Sequence, residues 1–484
     1  MKATVMKMST LLLALLTVAG LAACADNADT NTDVTTDIGT ETQAPQETEE
    51  VRYPCPEPID LNGYELRIAS WDPYTKYTTA DSLTGDVIND ALYYADLAVK
   101  ETYNCKITNV MSDAFQTVTE AVRTAVLAGD NVYDLSFNHD CQTVSNALKN
   151  CFVDLRSCDV FDFDAPWWTK TKETFTVDNR MYFASSYVTY SPIYQSMVLC
   201  YNKDLAENLD IDIPYEEIFA GNWYLEDMIS MVQNANADLN GDGKIVLGED
   251  RTGFLTNTLG LACVQFCLDG TVLEQDEDGY LKLNVDAARL QKMSEQVERL
   301  MEYGAETPDN HYGTEYFANE QGLFNLTQID KIPTMLRDKN IRVGALPFPK
   351  LDESQQDYIT STLDLYWAIP ATAVNEVDTI ATILEAKAQK CYYEVLPVSF
   401  ETALQTKFAD APEDAKTYEI IRDTMIIDAG YAYNSQDSGI AGMIRLFSRT
   451  TSGTLSSFLE QNRKSAEKAI EKINETYQKM SDLG

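Results

Sequence analysis

The chain has 484 residues, 45% of them hydrophobic and 23% charged, with 76 Asp plus Glu against 37 Lys plus Arg for a formal charge of −39 at pH 7. That length exceeds what one hydrophobic core serves, so two lobes are expected, and a surface this acidic argues against a phosphate backbone as partner. No Gly-x-Ser-x-Gly, His-Glu-x-x-His, phosphate-loop or dinucleotide motif occurs, and with two histidines His-based acid or base work is poorly supplied.

The chain opens with Lys2 and Lys7, an apolar run from Leu11 to about Val18, and small residues ending in Leu21-Ala22-Ala23-Cys24. This is the layout of a secretory signal; the apolar run is shorter than the roughly 20 residues of a membrane span. A cysteine directly after the small residues resembles a bacterial lipobox, which implies that residues 1–23 are removed, Cys24 takes a lipid, and the rest is anchored on the extracellular face of the cell membrane. A plain secretory signal or a transmembrane anchor is the alternative. Residues 24–58 are Thr, Asp, Glu, Asn, Ala and Pro with few large apolar side chains, a composition that cannot bury enough surface to fold and predicts an acidic tether.

Alternation after the turn signal Asn62-Gly63 predicts a strand over 64–69. A helix over 86–103, a strand over 105–110, a helix over 115–128 stopped by Gly129, and a strand over 134–137 follow. Strand, helix, strand, helix, strand is the order of an open α/β layer with mostly parallel strands. Further on, the pattern predicts a helix over 144–150, two strand-like runs around Asp178-Asn179 within 177–190, and a strand over 196–201. Helices over 225–236 and 286–303, a strand over 341–346 stopped by Pro347 and Pro349, a helix over 377–395 and a long polar helix over 455–480 complete the pass.

Setting Cys24 aside leaves nine of the ten cysteines, an odd number without compact spacing, so no disulfide framework is legible. Cys263 and Cys267 fall on one face of a helix, as buried core thiols in preference to a zinc pair.

The sharpest local signal runs from Asp238 to Glu249. Asp238, Asn240, Asp242 and Glu249 occupy the first, third, fifth and twelfth places of a calcium loop, Gly243 the sixth, and the Lys244 carbonyl the seventh. A hard cation wants six to eight oxygens, which one continuous loop can wrap around it. A single loop of this kind, followed by Arg251-Thr252-Gly253-Phe254 instead of a helix, predicts a structural calcium ion and not a paired sensor. An acidic turn without an ion is the alternative.

Aromatic residues are plentiful, with 27 Tyr, and Trp71, Trp167, Trp168, Trp223 and Trp367 fall at or near predicted element ends, where a cleft would be lined. Sugars stack one C–H face on such rings while their hydroxyls take carboxylate and amide partners, and Trp71-Asp72 offers both. His139 beside Asp140 follows a strand and could line the same cleft.

Several stretches taken together resemble the extracellular solute-binding proteins of bacterial ABC transporters, of the maltose-binding type. They are the first strand running into Trp71-Asp72, Tyr133-Asp134, Phe152-Val153-Asp154-Leu155, Tyr201-Asn202-Lys203-Asp204-Leu205, Gly221-Asn222-Trp223, the Asp238 loop before Gly253-Phe254, and Ala345-Leu346-Pro347-Phe348-Pro349. The resemblance spans roughly residues 60–480. It implies the two-lobe α/β periplasmic-binding-protein (type II) fold with a hinge and an interlobe cleft. By position, one lobe would take 59–190 plus 365–398 and the other 191–364 plus 399–484. It further implies that Trp71, Asp72, His139, Asp140, Tyr194, Asn257 and Trp367 bind the ligand. The function it implies is capture of a carbohydrate, with an oligosaccharide as first choice, and delivery to an ABC permease without catalysis. A lipid-anchored glycoside hydrolase, a binding protein for a non-sugar solute, or a calcium-dependent adhesion protein are the competing classes.

Overall fold

The computed structural model describes residue 53 and residues 55–481, apart from 309–312, 337–338, 401–411, 435–439, 445 and 448–453. The signal segment, Cys24 and most of the expected tether lie outside the described residues. Where description begins, the chain is already held by the folded body: the Gln389 amide donates to the Tyr53 carbonyl at 2.7 Å and the Tyr103 hydroxyl to that of Pro56 at 2.5 Å. No described helix is long and apolar enough to cross a membrane.

Two sheets organise the body. The first is built from β1 (Tyr64–Trp71), α1 (Val87–Tyr103), β2 (Cys105–Ser112), α2 (Phe115–Ala128), β3 (Leu135–His139) and α3 (Asp140–Ala147). β1 pairs in parallel with both β2 and β3, as the strand–helix alternation predicts. The helices start and stop where the sequence dictates. Asp86 caps α1 by accepting from the amides of Ile88 and Asn89, and Asn104 ends it in a left-handed conformation (φ 46°). Gly129 (φ 73°) does the same for α2 at no steric cost. Below β1 the buried Asp134 carboxylate accepts from the Arg67 guanidinium at 2.8 and 2.9 Å and from the Tyr64 hydroxyl at 3.0 Å, which locks β1 to the start of β3.

The second sheet comprises β4 (Met197–Asn202), β5 (Thr252–Thr256), β6 (Gly304–Glu306), β7 (Gly322–Gln328) and β8 (Val343–Leu346), in the order β8-β4-β7-β5-β6. β5 is parallel to β6 and β7, whereas β4 runs antiparallel to β7 and β8. It is flanked by α4 (Leu225–Ala235), α5 (Thr258–Cys267) and α6 (Ala287–Met301). Cys263 and Cys267 both lie on α5, buried and unpaired.

After β8 the chain returns to the first sheet, where β9 (Leu365–Ala368) adds antiparallel to β3, and α7 (Val377–Lys390) packs on α1. The buried Lys387 ammonium of α7 meets the buried Asp96 carboxylate of α1, whose other oxygen accepts from the Thr79 hydroxyl at 2.5 Å. The outgoing and returning segments run side by side, with bridges between Ala184 and Trp367 and between Ser196 and Thr362. A final helix, α8 (Leu455–Ser481), closes the described chain.

Three expectations about local structure differ from what forms. The helix placed at 144–150 spans Asp140–Ala147, because the turn at His139 starts it directly after β3, and Asn150 (φ 57°) lies beyond its end. The stretch 177–190 forms no strand ladder: Val177 bridges only to Arg180 across the Asp178-Asn179 turn, and Phe183 packs on Phe175 and Tyr366 at 4.9 and 5.4 Å between ring centres. The helix expected over 377–395 ends as an α-helix at Lys390 and continues as a wider turn over Cys391–Val395.

Candidate functional site

In open α/β sheets ligands sit beyond the carboxyl ends of the strands, and five strand ends converge here on one cavity of about 970 Å³. Trp71 is the last residue of β1 and His139 the last of β3; Glu306 ends β6, Gln328 ends β7, and Asn257 follows β5. Crossing residues Gln195, Leu363 and Asp364 close it from one side, with Tyr431 also in the wall.

The face supplied by the first sheet is aromatic. Trp71 packs edge-on against Tyr74 at 4.6 Å and against Phe115 at 5.5 Å between ring centres, and Phe115 lies 5.5 Å from the His139 ring. The Trp71 indole N–H donates to the Asp113 carbonyl at 3.1 Å, which fixes the ring while leaving it partly exposed. The opposite face is polar. Asn257 caps α5 by accepting from the Gly260 amide at 2.8 Å, the Thr258 hydroxyl donates to the Glu306 carboxylate, and the Gln328 amide donates to the Gln195 side chain at 2.7 Å. An aromatic wall facing amides and hydroxyls is what a polyhydroxylated guest needs.

His139 and Asp140 form an ion pair at the rim of this cavity. The Asp140 carboxylate beside it holds the His139 imidazole protonated well above its usual range, against the pull of burial. Burial pushes the Asp140 carboxyl up, but the His139 charge and the donors on His139 and Cys141 outweigh it and leave Asp140 below its ordinary value. Donor atoms of His139, Asp140 and Cys141 lie within 4.8 Å of one another, near enough for one cation, yet His139 Nδ1 is engaged by Asp140. Deeper in the wall, Asp364 is buried, accepts from the hydroxyls of Ser185 and Ser191 (the latter at 2.8 Å), and is pushed up to about 7 by burial.

Of the ligand residues implied by resemblance, Trp71, His139, Asp140 and Asn257 line the cavity together. Trp367 does not: it is 1% exposed, donates its indole N–H to the Ser186 hydroxyl at 2.8 Å, and packs on Trp168 at 5.7 Å. The same holds for Trp167, Trp168 and Trp223, all fully buried, so four of the five tryptophans fill core instead of cleft. Asp72 is exposed in the short turn after β1, and Tyr194 is buried beside Tyr190 at 5.3 Å; neither is in the lining. Tyr74, Phe115, Gln195, Glu306, Gln328 and Asp364 are in the lining without having been singled out. For Asp364 a signal was present: it is a lone carboxylate inside the apolar run Leu363 to Ala368.

The loop from Asp238 to Glu249 lies elsewhere, on the surface after α4. Asp238 accepts from the amides of Gly241 and Gly243 at 2.6 and 2.7 Å, Asn240 from that of Asp242 at 2.9 Å, and Asp242 from that of Lys244 at 2.9 Å. The Asn240 amide donates to Glu249 at 3.3 Å. Asp250, buried beneath, accepts from the amides of Leu239 and Val246 at 2.9 and 2.8 Å and pins both ends of the loop.

No protein-family model matches the chain, and no curated protein does. Solved structures do resemble it. A sugar transporter protein from Rhizobium etli in an open conformation superposes with a TM-score of 0.54 at 16% identity, covering 86% of this chain and 99% of that one. An ABC transporter solute-binding protein from Agrobacterium radiobacter K84 in complex with ribitol gives 0.52 at 16%, covering 84% and 99%. A maltose/maltodextrin-binding domain from Bdellovibrio bacteriovorus bound to maltotriose gives 0.50 at 13%, covering 86% and 100%. At these identities the likeness is one of fold.

Proposed function

We propose that this chain, which has the two-lobe α/β fold of the ABC-transporter solute-binding proteins, captures a carbohydrate, an oligosaccharide by first choice, in the cavity between its two sheets. It then presents the sugar to a membrane permease while tethered outside the cell through Cys24. The observation that carries this is the cavity itself: about 970 Å³, aromatic on one side and amide- and hydroxyl-lined on the other, at the carboxyl ends of strands from both sheets. The ligands held by two of the neighbouring structures, ribitol and maltotriose, are a polyol and a sugar, which supports the same solute class here. Side-by-side crossing segments between Ala184 and Trp367 are suited to hinge closure over the guest, and closure is favoured only by the guest's differential affinity for the closed state.

The test is substitution of the exposed ring. Trp71→Ala is expected to weaken oligosaccharide binding about tenfold or more, the loss of one stacking face and its buried area, in calorimetry against a panel of plant-polymer and starch oligosaccharides. A bound sugar held equally well by parent and variant removes Trp71 from the site.

The same reading extends to the Asp238–Glu249 loop as a structural calcium site, with Asp238, Asn240, Asp242, Glu249 and the Lys244 carbonyl as ligands. Its support is the spacing and the successive side chain-to-amide turns that wrap the loop around one point. Calcium titration of the parent is expected to show one binding event that Asp242→Ala abolishes. Flat traces for both proteins end this assignment and leave the cleft untouched.

A further inference from the structure

The cavity is poor in positive charge. Its lining holds three carboxylates, Asp140, Asp364 and Glu306, and one imidazolium, His139; no lysine or arginine is among the described lining residues. Two lysines outside the lining have partners of their own: Lys331 pairs with Asp330 at 2.9 Å, and the Lys76 ammonium sits over the Tyr77 ring at 4.8 Å.

The two buried carboxylates differ in how they are satisfied. Asp140 has the His139 charge beside it. Asp364, 1% exposed, is met by two serine hydroxyls and the Leu365 amide, all neutral, and the charge acting on it is Asp140, which is repulsive. Once ionised, a buried carboxylate with neutral donors and a like-charged neighbour is a costly arrangement, relieved either by a proton or by a cation that joins it. The same cavity is lined by the aromatic residues Trp71, Tyr74 and Phe115, and aromatic ring faces attract cations in a desolvated site.

Resting on the reading of this cavity as the solute site, we infer that the solute it is built for carries an ammonium group, as an amino sugar does, which sits between the aromatic wall and Asp364. The ammonium supplies the missing positive charge, and the sugar hydroxyls take the Gln195, Gln328 and Asn257 amides. By the same charge balance, uronate-bearing sugars are rejected, since an added carboxylate would face three others with only the His139 imidazolium, already engaged by Asp140, to offset them.

Matched probes test this with the full-length folded protein: a glucosamine tetramer, cellotetraose, a galacturonate tetramer, and spermidine as an ammonium without a sugar. Calorimetry at low salt is expected to show the glucosamine tetramer binding at least tenfold more tightly than cellotetraose, and no heat from galacturonate. The preference should shrink toward unity in 0.5 M NaCl, because part of it is Coulombic, and in Asp364→Asn. Urea unfolding of that variant establishes that it is folded. Tighter binding of the glucosamine tetramer than of spermidine assigns the ammonium to a sugar; the reverse order keeps the ammonium and discards the sugar. Cellotetraose binding as well as the amino sugar, or galacturonate binding at all, overturns the ammonium inference while leaving solute capture standing. Silence from every probe overturns both.

Discussion

Replacing Lys387 by methionine is expected to cost the protein about 3–5 kcal/mol of stability, the usual penalty for removing one partner of a buried ion pair. Lys387 and Asp96 are 2% and 0% exposed. With the ammonium gone, the Asp96 carboxylate keeps only the Thr79 hydroxyl at 2.5 Å and the Ala80 amide at 3.1 Å, an uncompensated charge between α1 and α7. Much of the loss is therefore the stranded carboxylate and not the pair's intrinsic worth. The double replacement Lys387→Met with Asp96→Leu should recover most of it. Urea unfolding of parent, single and double variants measures both quantities. A single variant within about 1 kcal/mol of the parent would contradict the burial of this pair.

Asp364→Asn is expected to stabilise the free protein at pH 8, on the order of 3 kcal/mol, and to leave stability nearly unchanged at pH 4. The Asp364 carboxyl is pushed up to about 7 by burial, against the lowering effect of Ser185 and Ser191 and with Asp140 adding to the rise. A tenfold change in proton affinity between the unfolded and folded chain corresponds to about 1.4 kcal/mol. For a group raised on folding, its contribution is fully present below the unfolded-state value near 4 and is lost as pH rises through the folded value near 7. At pH 8 the parent thus holds an ionised carboxylate against its preference, while the neutral amide accepts from one serine and donates to the other without that cost. The charged groups facing it are Asp140 and, through Asp140, His139; their pairing raises the His139 imidazole and lowers the Asp140 carboxyl. Urea midpoints at the two pH values measure the effect, and an equal difference at pH 4 and pH 8 would disprove it. A stabilising substitution that also erases ligand preference is the trade expected where a site is kept strained for binding.

How much was legible in the sequence divides along physical lines. β1 to β3 and their helices were plain because alternation, helical spacing and termini agreed: Asp86 and Gly129 mark helix ends chemically, not just statistically. β7 was not, because Gly322–Gln328 is buried on both faces and shows no alternation. The apolar residues of 177–190 looked like strands because core packing selects the same side chains as a ladder does. Within the site, residues tied to a strand end were reachable, as with Trp71 and His139. Trp367 misled because a large ring in an apolar run is equally suited to a core, and here it completes one with Phe161 and Trp168. Gln195 and Gln328 could not be found, since they meet only when distant segments converge.

The edge of β3 stays open until β9 arrives, because its antiparallel partner comes from the far side of the second sheet in sequence. Early in synthesis this half of the molecule therefore exposes an unsatisfied ladder and the apolar underside of α1, which α7 later covers. Such long-range closure makes folding slow. A chain that cannot lock its first half before its last third has appeared remains threadable for longer, a kinetic property suited to the proposed location outside the cell, which the chain reaches by crossing a membrane.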